Sequence, residues 1–181
     1  NIKTPFELLA SSLRATGAET NGSRALTGLL RRMGEPLYGY QAPTGYPDTA
    51  ADWVNTGALR ERMNFAVALA SGRVPQVRID LARFGSGDRE AILDSALQAL
   101  LSGEVSESTR EIIAKQMEQP LPEVSLSAPD GSMAGGSTRL QGMQDRRMRG
   151  IDRINTLRPT GDPEVFKAVG LILGSPEFQR Q

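Results

Sequence analysis

The chain has 181 residues, 21 basic and 21 acidic side chains, no cysteine and no histidine. Without these two residue types, the chain by itself excludes disulfides, thiolate metal sites, thiol nucleophiles and a Ser–His–Asp triad. A net charge of zero gives no general attraction to nucleic acid or to an anionic membrane surface. No apolar run is long enough to span a bilayer.

Two helices are predicted in the first 34 residues. Thr4 and Glu7 form the two halves of a capping box, with Pro5 at the first helical position. The apolar face of this helix is expected to consist of Phe6, Leu9 and Leu13. The second helix has apolar residues at positions i, i+3, i+4 and i+7, which is the spacing of one buried face: Leu26, Leu29, Leu30 and Met33.

Residues 38–53 contain all three tyrosines of the chain and its only tryptophan. Prolines and glycines in this stretch argue against a long helix. One interpretation is a binding surface formed by Tyr38, Tyr40, Tyr46 and Trp53, because such side chains combine an apolar face with a polar tip. The other is a loop fixed to the helical core. We favour the fixed loop for Tyr46 and Trp53, and leave Tyr38 and Tyr40 as candidates for contacts outside the chain.

The next helix is predicted to begin at Thr56 as its N-cap and to end at Gly72. Its apolar residues occupy several sides, which is typical of a central, buried helix. One face carries Ala58, Arg62, Phe65 and Leu69.

An arginine on that face is expected to be partly buried and to need a carboxylate partner. Asp48 and Asp52 are the nearest candidates along the chain, and a bridge from Arg62 to one of them would fix the aromatic loop. The alternative is that Arg62 and Asn64 line a pocket for an anionic or polyol ligand. We favour the structural bridge.

The second half of the chain continues with helices. Residues 77–81 alternate as in a strand but also fit a helix, and because the sequence shows no partner strand we prefer a helix or an extended loop. Further helices are capped by Asp88, by Ser106 or Ser108, and by Asp162.

This pattern predicts an all-α fold, an irregular multi-helix domain of six to eight helices with long Pro/Gly-rich loops. The helical core is assigned to 1–118, and a C-terminal helix and turn at 162–181 are expected to pack back on it. Between them, 119–161 is interpreted as an insertion or linker. Its arginine-rich part contains four candidate contacts with a partner protein: Arg146, Arg147, Arg149 and Arg153.

Three segments of the chain resemble the C-terminal part of a bacterial family known as domain of unknown function 1800. They are KTPFELLASSLRATGA, MGEPLYGYQAPTGYPDTAADWVNTGALRERMNFA and GSPEFQRQ. The middle one is the most specific, with the turn Gly45-Tyr46-Pro47, then Trp53, then a helix that carries Arg62, Asn64 and Phe65. The resemblance covers 1–118 and 162–181 and breaks off across 119–161.

The resemblance implies the C-terminal part of a larger bacterial protein, commonly exported to the periplasm or cell surface. It transfers no catalytic residue. We therefore expect no catalytic residue, metal or cofactor in this chain, and a role in packing against its N-terminal half or another protein chain. Because residue 1 is Asn, a fragment or processed subunit is expected.

Two other functions stay open at this point. The first is that the chain is a component of an enzyme whose catalytic groups lie in the N-terminal half. The second is that the chain is a polysaccharide- or surface-binding module that uses the 38–53 loop. A glycosidase-type pair among Asp48, Asp52 and Glu61 is weighed against their structural uses, and the cap and surface assignments are preferred.

Overall fold

The computed structural model describes residues 2–22, 24–39, 45, 46, 53, 55–103, 105–120 and 161–180. Seven α-helices lie in these ranges: α1 (Pro5–Ala15), α2 (Arg24–Arg32), α3 (Thr56–Ala70), α4 (Arg89–Leu101), α5 (Glu107–Met117), α6 (Pro163–Leu173) and α7 (Pro176–Gln179). A 3-10 helix spans Leu81–Phe84, and β1 (Glu19–Thr20) pairs with β2 (Val77–Arg78). The predicted all-α, multi-helix class is confirmed. None of the helices in these ranges has the length and apolar content needed to cross a membrane.

Side-chain caps set the helix starts. Thr4 Oγ1 accepts a hydrogen bond from the Glu7 amide, and Glu7 Oε2 accepts one from the Thr4 amide at 2.8 Å, which completes the predicted capping box. The predicted caps of α4, α5 and α6 are also present: Asp88, Ser106 and Asp162. These three caps could be predicted from the sequence because cap and amide are only two or three residues apart.

The predicted cap of α3 was wrong by one residue. Asn55, not Thr56, caps the helix, and its Oδ1 accepts a hydrogen bond from the Ala58 amide at 2.8 Å. Thr56 is the first helical residue. Both residue types are good caps, but an asparagine one position earlier already satisfies the free amide of the first turn.

The predicted apolar face of α1 also needs correction. Leu8 and Leu9 are buried, but Phe6 is 49% exposed. The inward face consists of Pro5, Leu8, Leu9 and Ser12, which are spaced i, i+3, i+4 and i+7. Consecutive residues differ by about 100° around a helix, so Phe6 lies well away from the direction of that face.

Residues 77–78 form a strand, contrary to the preference for a helix or loop. Their partner is β1, paired antiparallel with Glu19 opposite Arg78 and Thr20 opposite Val77. Both residues of β1 are exposed, so this strand has no alternation of apolar and polar side chains. The pairing lacks the sequence pattern by which strands are recognised.

The central helix of the described part is α6. Seven of its eleven residues are buried: Val165, Ala168, Val169, Gly170, Leu171, Ile172 and Leu173. It packs against α3, α4 and α5. A Cβ atom at Gly170 would lie 3.4 Å from Ala70 Cβ and 3.5 Å from Val67 Cα, so the absence of a side chain allows α6 and α3 to approach closely.

The C-terminal helix α7 is fixed to the start of α5 by one carboxylate. Glu177 Oε1 accepts hydrogen bonds from Thr109 Oγ1 and, at 3.0 Å, from Ser106 Oγ. Burial acts to raise the pKa of this carboxyl, but the hydroxyl and backbone hydrogen bonds, with the positive charge of Arg180, outweigh burial and hold the pKa below its ordinary value. The ionised form is therefore the one that stabilises this contact.

We expect Glu177→Gln to lower the free energy of unfolding by about 1 kcal/mol at pH 7, because two hydrogen bonds lose their charged acceptor. The folded-state pKa lies below the ordinary value of 4.5. The stabilisation is therefore fully present above pH 4.5 and is lost as the pH falls through the lower folded-state pKa. Urea unfolding of both proteins at pH 7 and at pH 3 measures it. A difference between the two proteins that stays constant with pH would contradict the assignment.

Candidate functional site

Two aromatic residues of the 38–53 stretch lie against the protein's own residues. Trp53 is 5% exposed, and Tyr46 is half-buried. Their ring centroids are 6.1 Å apart with the planes tilted by 42°. The Tyr46 hydroxyl donates a hydrogen bond to the carbonyl of Pro36. This contact joins Pro36, in the segment that follows α2, to Tyr46, ten positions further along the chain.

Phe6, Leu37 and Tyr38 are exposed apolar residues on two segments joined by a hydrogen bond, and we call these three residues the apolar patch. Tyr38 is fully exposed, while Phe6 and Leu37 are 49% and 44% exposed. The Phe6 amide donates a hydrogen bond to Glu35 Oε2 at 2.8 Å. This bond brings the first turn of α1 next to the segment that carries Leu37 and Tyr38.

A tight turn presents Tyr38 to solvent. The Gly39 amide donates a hydrogen bond to the Pro36 carbonyl at 3.0 Å, which closes the turn. Tyr38 has a φ of 57°, in the left-handed region that glycine and asparagine normally occupy. For a tyrosine this conformation costs on the order of 1–2 kcal/mol. The strained residue is thus also the most exposed large apolar side chain among the described residues.

Arg62 lies behind this surface, in the interior. Its side chain is fully buried, at 0% exposure, which exceeds the partial burial predicted from its apolar neighbours on α3. One terminal nitrogen, Nη2, donates to the Lys3 carbonyl at 2.8 Å, and the other, Nη1, donates to Gln179 Oε1 at 3.5 Å. Its Nε is buried and has no hydrogen-bond partner among the described residues. Burial lowers the pKa of this guanidinium, and the negative charge of Glu35 opposes that shift.

The predicted partners of Arg62, Asp48 and Asp52, lie outside the described residues. The bridge from Arg62 to one of them therefore stays a prediction. The alternative role of Asn64 also stays untested, and this residue is half-buried within α3. In the part of the chain that the structure describes, the polar partners of Arg62 are neutral oxygen atoms.

The two ends of the described chain meet over Arg62. The Lys3 amide donates to the Gln179 carbonyl at 2.8 Å, and Ile2 forms an antiparallel bridge with Arg180. Lys3 Nζ donates to the Phe178 carbonyl at 2.6 Å and lies 4.3 Å from the centroid of the Phe178 ring. We call residues 2–3 and 178–180, with these contacts, the terminal clasp.

Sequence reasoning missed the clasp and the role of Glu35. Lys3 contacts Phe178, which lies 175 positions further along the chain, and the adjacent Gln179, and a backbone carbonyl has no residue-specific signature. The other candidate contacts, Tyr40 and the four arginines at 146, 147, 149 and 153, lie outside the described residues. Within the described ranges, no group of three or more acidic side chains is placed to hold a metal ion.

A family model described as "Protein of unknown function (DUF1800)" matches residues 1–180. The matched span runs across 119–161, where the resemblance read from the sequence breaks off, and the interpretation of that segment as an insertion stays a prediction. No curated protein matches the chain, and no solved structure matches it.

Proposed function

The chain belongs to the DUF1800 family of proteins of unknown function, and from that premise we propose that it is a helical packing and assembly domain. The observation that carries the proposal is the apolar patch, in which Tyr38 is fully exposed on a strained, hydrogen-bonded turn. The occupant is another polypeptide, either the N-terminal half of the same protein or a separate chain. Export to the periplasm or cell surface, which the family resemblance implies, belongs to the same proposal.

The chemistry of the patch favours a polypeptide. Tyrosine and phenylalanine are enriched at protein interfaces, and a tyrosine supplies a large contact area with few rotatable bonds. Leu37 and Phe6 beside it are apolar and offer no side-chain hydrogen bonds. A fixed backbone at Tyr38 reduces the entropy lost on binding, because the turn is already formed.

A polysaccharide is the second candidate, and the exposed ring of Tyr38 is the observation that favours it, since aromatic faces stack on sugars. The apolar patch favours a polypeptide over this occupant, because sugar recognition also needs hydrogen-bonding groups around the ring, whereas the other two members of the patch are leucine and phenylalanine. The enzyme-component alternative concerns the N-terminal half and is compatible with the same patch.

Site-specific photocrosslinking in the cells that make the protein tests the proposal. A benzophenone amino acid at position 38 is expected to yield a crosslinked adduct with one discrete polypeptide segment, which peptide mass spectrometry locates either in the N-terminal half of the same protein or in a separate chain. The matched control places the same group at Ile112, which is 55% exposed on α5. No corresponding adduct is expected there.

Three outcomes contradict the proposal. They are the absence of any adduct at position 38, the same set of adducts at positions 38 and 112, and an adduct that is carbohydrate rather than protein. The carbohydrate outcome would replace the assembly function with glycan binding.

A further inference from the structure

We propose that the terminal clasp controls the order of the apolar patch, with Arg62 and Gln179 as its positioning residues. The inference rests on the proposed function, because it concerns regulation of the same surface. It states that the patch is presented to a partner only while residues 2–3 and 178–180 are paired over Arg62.

The first link of this connection is the guanidinium of Arg62, which bonds to two distant segments of the chain. Its two terminal nitrogens bond to different chain ends, the Lys3 carbonyl at 2.8 Å and Gln179 Oε1 at 3.5 Å. Gln179 Nε2 in turn donates to the Gly174 carbonyl at 3.1 Å. One side chain on α7 thus joins the end of α6 to Arg62, and Arg62 joins both to the segment that precedes α1.

The second link runs along that segment to the patch. Lys3 is followed by Thr4, the cap of α1, and Phe6 lies in the first turn of α1. The Phe6 amide bonds to Glu35, two residues before Leu37. If the clasp opens, the segment that precedes α1 loses its anchor, and the hydrogen bond between the Phe6 amide and Glu35 is expected to weaken.

The clasp is suited to act as a switch because its buried cation is incompletely satisfied. Arg62 Nε has no hydrogen-bond partner among the described residues, and the other two nitrogens bond to neutral acceptors. A buried guanidinium is costly unless its donors are satisfied, so opening of the clasp is opposed by the loss of the hydrogen bonds to Lys3 and Gln179 and favoured by hydration of the cation. Coupling of this kind is reciprocal: a partner that covers the patch also stabilises the clasp.

Amide hydrogen exchange of the isolated protein tests the inference without a partner. In Gln179→Ala, the Phe6 and Gly39 amides are expected to exchange about tenfold faster, because local opening of the first turn of α1 and of the Tyr38 turn becomes easier. The matched control is Glu177→Gln. It alters the same short helix two residues away, where the side chain faces Ser106 and Thr109. Because it retains the Gln179 contacts with Arg62 and Gly174, it is expected to accelerate both amides no more than it accelerates the α4 amides.

Unchanged Phe6 and Gly39 exchange in Gln179→Ala would overturn the inference. So would an equal acceleration in Glu177→Gln, or an equal acceleration of the α4 amides such as Ile92, which would indicate a global loss of stability. Arg62→Met is the second variant and is expected to reproduce the Gln179→Ala pattern. The exchange result does not depend on a partner, so a failed crosslink at position 38 and a failed exchange test are distinguishable.

Discussion

Gly170→Leu is expected to lower the free energy of unfolding by about 3 kcal/mol or more, because the new side chain has no space at the contact between α6 and α3. A Cβ at this position already reaches van der Waals distance, 3.4 Å from Ala70 Cβ and 3.5 Å from Val67 Cα. The additional atoms of leucine would have to displace the backbone of α3. Thermal and urea unfolding followed by circular dichroism measure the effect.

Gly170→Ala is the control for that prediction. A methyl group fits at the distances given, and alanine is about 1 kcal/mol more favourable than glycine in a helix interior. We therefore expect this variant to be at least as stable as the parent protein. Equal destabilisation by alanine and leucine would contradict the close-packing account, since it would show that even a methyl group is excluded.

Arg62→Ala is expected to destabilise the protein by about 3 kcal/mol, from the cavity left by a large buried side chain and from the Lys3 carbonyl left without its donor. The substitution also removes the desolvation cost of a buried cation, which offsets part of this destabilisation. Arg62→Met separates these contributions, because it retains most of the side-chain volume but removes the charge and the hydrogen bonds. We expect a smaller loss for methionine than for alanine.

Equilibrium unfolding of the two Arg62 variants and the parent protein gives both differences. Equal losses in the two variants would show that packing contributes little and that the hydrogen bonds to the chain ends dominate. A methionine variant more stable than the parent protein would show that the buried charge is a net cost, which the protein retains for a purpose other than stability.

Much of the fold was predictable because its signals are local. The capping box at Thr4 and Glu7 and the four-residue stripe of α2 depend on positions within one or two helical turns of each other. Partial burial of Arg62 was predictable for the same reason, because its apolar neighbours on α3 are known from helical spacing alone, but its full burial was not.

The remaining features depend on contacts between distant segments. The inward face of α1 is set by what it packs against, so Phe6 is exposed where its spacing with Leu9 and Leu13 predicted burial. The strand at Val77 was missed because its partner, Glu19–Thr20, is too short and polar to show a strand pattern. The contact of Arg62 with the Lys3 carbonyl spans 59 positions and involves a group that every residue possesses.

The position of α6 has a consequence for folding during synthesis. This helix contacts α3, α4 and α5, yet it comes from residues 163–173, after all of them have been synthesised. During translation the apolar residues of α3 therefore have no complete core to enter until α6 has left the ribosome. Such late, long-range contacts slow folding and leave apolar surface exposed on the nascent chain. We expect ribosome-bound chains that end before residue 162 to remain protease-sensitive and to bind chaperones, and chains in which residue 180 has emerged to become resistant.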